Sequence, residues 1–547
     1  MKYLLTGVAA IALLTACGDK NKDKDGASPA GVEISQGKAP NVKLRKGDPA
    51  SAGAVLSALS LDKSGAGRVS FDTSSVNGAK AAFTDVTIIS SADAEEDDAD
   101  VEFGDDDRLH IKGSDLKAGK LEFEGLGMID GQANFSRMVL SDVTFVPKEG
   151  AEAHGSTKVK SVELVNPSPE TAAWIASLFG KGEAIDMPEG KALAFDLWSM
   201  DDLNFQIDEE GGDKGAFVID GINVVGVKDE KVAQMSIKNM TFDMFDSEED
   251  TDVKASLGGI DLRNVNLALL SAADDGPSDG VAKGMVEMLQ NDPANPGYDS
   301  VLIDNLKVAV SGADFTMPKL SSKVSRDKKG RAVKVVTEPF KMTLGSSEGE
   351  LGEKLGTQLA TLGYEKLELS GQGEQTYDPD KDFVTLVKGK NFLKLENGFK
   401  LDYSAKYEGA AAIAKAQAAA TDQAPGDLMQ DALDNLQIHG FELALADDGF
   451  VDRAFNAFAA QSGQDPQQLR SQIAGQMAMA PMMAAGTGID PELLTELATA
   501  FSSFLTDPKT LTITLAPATP LKVGELADME DPSAYTKAAL GFAASNK

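Results

Sequence analysis

Apolar and polar positions recur along this chain in a short phrase: apolar, any, Asp or Asn, apolar, any, apolar. It reads FTDVTI at 83–88, LSDVTF at 140–145, MDDLNF at 200–205, IKNMTF at 237–242, LRNVNL at 262–267, IDNLKV at 303–308 and LDNLQI at 433–438. At 219–224 it reads IDGINV, with Gly221 in the Asp/Asn slot. The second half of each phrase alternates apolar and polar, the period of a half-buried strand. Asp, Asn or Gly ahead of it predicts a bend or bulge where the chain enters the strand. Where the phrases cluster, 18 to 25 residues separate Leu203, Ile222, Met240 and Val265. That leaves room for two short strands and two turns, which suits an antiparallel meander and not βαβ units. The predicted class is α+β, mainly β: an extended antiparallel meander of short repeats with a helix-rich C-terminal part.

Helical periodicity interrupts the strands. SPETAAWIASLFG (168–180) has Ser168 as N-cap, Pro169 in the first turn and Gly180 as a stop. Helices are also predicted over 278–292 and 349–363. From Ala410 to about Leu505 the chain turns rich in Ala, Gln, Met and Leu, with helices opened by Asp or Pro. A strand, TLTITLAP (510–517), and a short helix near Pro532–Phe542 close it. The organisation expected is a signal segment 1–16, a flexible tether 17–48, a β-rich body 49–409 and a mixed region 410–547.

Composition narrows the partners. The chain carries 52 basic and 86 acidic residues, a formal net charge of −34. That argues against nucleic acid and against broad binding to anionic headgroups, which reward Lys and Arg. The single cysteine, Cys17, excludes an internal disulfide, so stability must come from a core; 42% hydrophobic content supplies one.

Cys17 sits at the end of an ordered N-terminus. Lys2 precedes an apolar run from Leu4 to Leu14, too short to span a bilayer, followed by small residues. Leu14-Thr15-Ala16-Cys17 resembles the lipobox of bacterial lipoproteins. The resemblance implies cleavage before Cys17 and acylation of its sulfur and new amino terminus. Acyl chains would then hold the protein on a membrane. Gly18 to Asp48 is too polar to fold alone and reads as the tether. With Gly18 after the cysteine, the same resemblance favours the outer membrane, facing the periplasm or the surface.

Several stretches invite a chemical reading. GSSEG (345–349) has the spacing of a nucleophile elbow around Ser347 and lies between a predicted strand and helix. With 53 glycines in the chain the pattern arises readily by chance. Only three histidines exist, His110, His154 and His439, and no Gly-rich oxyanion loop precedes Ser347. A strand-to-helix turn accounts for it better. Asp378, Asp380 and Asp382 alternate as calcium loops begin, but Phe383 occupies the glycine position and no closing Glu follows. A hairpin turn explains them. The acidic runs 94–100 and 246–252 read as solvated loops. Met477, Met479, Met482 and Met483 could ligate copper(I), but adaptable apolar packing, or a mobile lip over an apolar groove, is the commoner use of such a cluster. No metal site or cofactor is expected, and no catalytic residue.

The strand phrases, LRNVNLAL and IDNLKVAV among them, weakly resemble periplasmic groove proteins of the AsmA and TamB type. That resemblance implies a β-groove along which lipid is carried. The chain departs from it in having a lipid anchor and a short body. On this reading the protein is non-enzymatic and binds lipid or another apolar ligand. Phe242, Leu267 and Val308, which share one slot of the phrase, would line the groove. The alternative is an adaptor lipoprotein that holds an envelope protein through its acidic surface or sheet edges. Cys17→Ala is expected to accumulate as an unacylated precursor that keeps residues 1–16, read as intact mass. A variant that matures normally and stays on membranes through a high-salt wash would remove Cys17 as the anchor.

Overall fold

A computed structural model describes residues 42–89, 114–147, 156–182, 184–208, 214–247, 251–266, 293–411, 414, 435–483, 489–524 and 535–547. Cys17, His110, His154, Leu267, the predicted helix 278–292 and most of 410–434 lie outside the described residues. The fold is mainly β and antiparallel, with helices gathered in the C-terminal part, as the alternation predicts. The chain divides into two compact units: residues 1–288 with 297–308, and residues 289–296 with 309–547.

In the first unit helix α1 (Ala52–Ala58) precedes β1 (Val69–Ser70) and β2 (Thr73–Asn77), which both pair with β3 (Lys80–Ile88). β4 (Ser114–Glu124) follows, then a separate hairpin of β5 (Gly127–Ile129) and β6 (Gln132–Asn134). The large sheet resumes with β7 (Arg137–Pro147) and β8 (Ser156–Val165), then α2 (Pro169–Phe179), then β9 (Phe195–Asp208), β10 (Lys214–Lys228), β11 (Lys231–Asp246) and β12 (Thr251–Asn266). Each strand pairs antiparallel with the next, β3–β4–β7–β8–β9–β10–β11–β12. β13 (Ser300–Val310) comes next in sequence. From β9 to β12 one strand of 14 to 16 residues takes the place of two short ones at each phrase. Two short strands per interval had been expected.

The Asp/Asn slot explains why long strands suffice. Asp85, Asp142, Asp202, Asn239, Asn264 and Asn305 all have φ between 41° and 53°. They stand inside strands, not at the entry, and no extra residue is inserted. Thr84 pairs with Lys120 and Val86 with Ala118, so Asp85 and Gly119 face each other unpaired while the register continues. The same one-to-one gap sets Gly119 against Asp142, Asp142 against Lys160, Lys160 against Asp202, Asp202 against Asp220, Asp220 against Asn239, and Asn239 against Gly258. A crease therefore crosses eight strands at right angles to them. Polar side chains span it: Lys160 Nζ lies 2.8 Å from Asp202 Oδ2, and Asn239 Nδ2 donates to Asp220 Oδ2 at 2.7 Å.

The crease resets the side-chain alternation. In a regular strand residues i and i+2 share a face. Here the first, fourth and sixth positions of the phrase do: Leu140, Val143 and Phe145 all reach the core, as do Ile219, Ile222 and Val224. A left-handed residue supplies the odd step. Asp and Asn visit that conformation because a short polar side chain can bond locally, whereas most residues pay about 1–2 kcal/mol for it. In β10 the step from Ile219 to Ile222 occurs with Gly221 outside the left-handed region. A second such step, Val224 to Val227, uses Gly226 at φ 65°, and a Cβ there would lie 2.9 Å from Ala233.

α1 and α2 complete this core. Ser168 accepts a hydrogen bond from the Thr171 amide as N-cap, and Ala172, Ile175 and Phe179 turn inward beside Val55, Leu59, Phe83 and Phe123. The segment assigned to the tether is folded from Lys43 onward. The Arg45 guanidinium donates to Asn134 Oδ1 and to the carbonyls of Phe135 and Pro167, while Lys43 O accepts from Asn166 Nδ2.

Both tryptophans, Trp174 and Trp198, belong to this unit's core, so their fluorescence reports its unfolding alone. Asp142 is exposed, so its substitution tests the backbone. Asp142→Val should lower the stability read from tryptophan fluorescence in denaturant by about 1–2 kcal/mol, while Asp142→Gly stays near the native value. Equal stability of the two variants would show that the left-handed φ is not what the slot selects.

Candidate ligand-binding face

The second unit is built on plain alternation. β14 (Ala313–Arg326), β15 (Ala332–Ser346) and β16 (Leu367–Asp378) pair in order. β17 (Phe383–Leu386) and β18 (Phe392–Leu395) share one place between β16 and β19 (Phe399–Glu408). β19 pairs with β20 (Gln437–Asp447); β20 pairs with β21 (Thr510–Leu515) and β22 (Leu521–Lys522); and β21 pairs with β23 (Phe542–Asn546). Helix α3 (Glu350–Thr361) follows β15; α4 (Phe450–Ser462), α5 (Pro466–Met483) and α6 (Pro491–Thr506) follow β20; α7 (Lys537–Leu540) precedes β23. The expected terminal helix is thus one turn, and Phe542 begins a strand whose sequence, FAASN, lacks alternation. No residue inside a strand of this unit has a positive φ; Asp382 and Asn397 mark turns. Irregularity takes the form of register shifts between Ser325 and Arg326, between Thr337 and Phe340 and between Lys406 and Tyr407.

Pairing aligns apolar side chains in rows across the strands. One row runs Met342, Leu369, Leu395, Phe399. The next runs Leu393, Leu401, Leu445, Leu511, and two more run Tyr403, Leu443, Ile513, Ala544 and Ala405, Phe441, Leu515, Phe542. The opposite face is charged. Lys341 and Lys366 lie 2.5 Å and 2.6 Å from Glu368, and their hydrogen bonds hold its carboxyl down to about 2. Lys400 pairs with Asp402 and Lys388 with Glu442. Such exposed pairs contribute about 0–1 kcal/mol each. Their consequence is to keep that face in water and leave the other as the sheet's apolar side.

Helices cover the two ends of the apolar side. Leu355, Leu359 and Tyr364 pack on Leu367, Leu369, Leu395 and Phe399. Val451, Ala500 and Phe504 pack on Leu445, Leu511, Phe542 and Ala544. Between these clusters Leu393, Leu401, Tyr403, Ala405, Phe441 and Leu443 are each half-buried and belong to neither. At about 4.8 Å per strand, the span from β16 to β21 is about 19 Å. Asn391, 2% exposed, stiffens the middle: its amide accepts from Glu374 N and donates to the carbonyls of Glu374 and Val387, standing in for ladder bonds across the break between β17 and β18.

The residues singled out in the sequence lie on several elements. Phe242 packs half-buried against the core of the first unit, Val308 is half-buried in β13, and Leu267 lies outside the described residues. Ser347 follows the end of β15 ahead of α3 and donates to Gly312 O at 3.4 Å. His439 sits at the register shift of β20 against Phe383, its Nε2 3.1 Å from Glu408 Oε1 without the alignment of a hydrogen bond. Asp378, Asp380 and Asp382 serve three different partners in the β16–β17 turn. They take the Asp380 amide, Arg331, and Tyr377 with Ala411, respectively. Burial and Asp382 push the Tyr407 hydroxyl pKa up. Among the described residues no three His, Cys, Asp or Glu converge as metal ligands. The apolar face was legible in the alternation of FKLDYSAKY (399–407) and FELALAD (441–447), which carry no Asp/Asn phrase.

No curated protein matches the chain. A family model described as an uncharacterized protein matches residues 392–547, the stretch from β18 to the C-terminus that contributes most of this face.

Proposed function

We propose that the protein is a non-enzymatic lipoprotein of the bacterial envelope that holds a lipid, or another long apolar ligand, on the apolar side of the second unit's sheet. The observation that carries this reading is the half-buried strip of Leu393, Leu401, Tyr403, Phe441 and Leu443 between two helix-covered ends. The strip offers no charged side chain, so it suits acyl chains and not headgroups. The strip crosses β18, β19 and β20, about 10 Å at 4.8 Å per strand, and runs about 13 Å along β19 from Leu401 to Ala405, so it takes a stretch of an acyl chain. The resemblance of Leu14–Cys17 to a lipobox, with Gly18 after it, supports placement at the outer membrane, where such a ligand is at hand. This reading places lipid on β18 to β20 of the second unit, the last of which begins at the end of the phrase at 433–438.

The test is extraction of non-covalent lipid from protein purified out of its own envelope, with covalent acyl groups left on Cys17. Wild type should yield lipid. Leu443→Glu should yield little while its melting temperature falls only a few degrees, since a half-exposed wall tolerates charge. In a closed core the same change would bury an unpaired charge and collapse the melt. Lipid-free wild type with a collapsed melt for the variant overturns the proposal and favours an adaptor that binds protein.

A further inference from the structure

We infer that the C-terminal half of α5 is a membrane-inserting tip, fitted to the interface of a bilayer of uncharged, zwitterionic lipid. The two halves of this helix differ. Its first half is seated: Asp465 accepts from the Gln468 amide, Arg470 bonds Asp452 and lies 5.3 Å over the Phe455 ring, and Leu469 and Ala474 are buried. Its second half keeps Ala480 and Pro481 half-buried and exposes the rest of its described side chains. Gly475, Gln476 and Ala478 are exposed, and Met477, Met479 and Met482 are 36%, 55% and 75% exposed.

No charged residue occurs from Ser471 to Ile489, in a chain of net charge −34. At 3.6 residues per turn, Met477, Met482 and Met479 fall at about 0°, 140° and 200° around the axis, with Ala478, Ala480 and Pro481 between them. A groove on a partner protein covers one stripe of a helix, read at i, i+3, i+4 and i+7. Here Met477, Ala478, Met482 and Met479 spread over about 200° of the circumference, with Gln476 exposed beside them and Ala480 and Pro481 half-buried, an arc wider than one such stripe and suited to lipid. Gly475 to Met482 spans about 12 Å, close to the 5–10 Å to which interfacial helices bury their apolar side. No described helix is long and apolar enough to cross a membrane, so the contact is insertion of an end. Thioether side chains conform to irregular surroundings, which suits acyl chains. The charge of the rest of the molecule repels anionic headgroups, hence the match to zwitterionic lipid.

The inference stands apart from the lipid-holding sheet, because it concerns contact with the bilayer and not the cargo. Its test uses the full lipidated chain on vesicles of brominated phosphatidylcholine, with a tryptophan at position 479 (M479W) or, on the seated half of the same helix, at position 472 (Q472W). Emission added by M479W over wild type should be quenched at least about twofold, while that of Q472W is not; burial of the tip by about one helical turn suffices. Absence of quenching at both positions, or equal quenching at both, overturns the inference. So does a concentration-dependent blue shift of the M479W emission without vesicles, which would make the occupant a second copy of the chain. None of these outcomes alters how much lipid can be extracted from the sheet, so the two readings fail separately.

Discussion

A long strand that must curve round a core meets a conflict between its two-residue alternation and the direction in which its apolar side has to turn. In the first unit that conflict is resolved by one backbone conformation repeated across neighbouring strands. Asp85, Asp142, Asp202 and Asn239 adopt a left-handed φ, and each faces an unpaired residue on the adjoining strand. Ladder bonds on either side keep their register. Because a sheet creases only along a line, every strand must yield at the same level. The placement of Gly119, Lys160, Asp220 and Gly258 opposite the left-handed residues is therefore part of the same constraint. Burial of Phe83, Val86, Leu203 and Ile219 depends on it, each such side chain being worth about 1.5–3 kcal/mol when removed from water.

The second unit lacks that device inside its strands, and its apolar side differs accordingly. Alternation runs on without a reset, so Leu401, Tyr403 and Ala405 stay on one side and Lys400, Asp402 and Lys406 on the other. Helices are then required to cover the apolar side, and they cover its ends. The strip left half-buried between them is where an apolar ligand would gain most from leaving water. Structure and proposed function thus meet in what the strands of this unit do not do.

Charge has a matching division of labour. Pairs such as Lys341–Glu368 and Lys388–Glu442 lie on the outer side of the sheet, where they neutralise each other locally. The surplus of acid over base, a formal net charge of −34, repels anionic surfaces. Against that background an uncharged, outwardly apolar helix end such as Gly475–Met482 stands out as the place where the surface changes character.

By itself the sequence determined the mainly antiparallel β class, helix α2 with its Ser168 cap, and the turn at Ser347. It also determined the phrase whose Asp or Asn marks a local backbone departure. These are short-range matters of period, capping and φ preference, and local residues decide them. Only the tertiary structure decided that the marked residue lies within the strand and not at its start. It alone decided that the marks line up into a crease, that Phe242 packs on the first unit's core, and that FAASN forms a final strand beside β21. Those outcomes rest on pairing between residues distant in the chain. A period-two pattern says which side chains share a face, but not whether that face will be folded inward, covered by a helix or left half open.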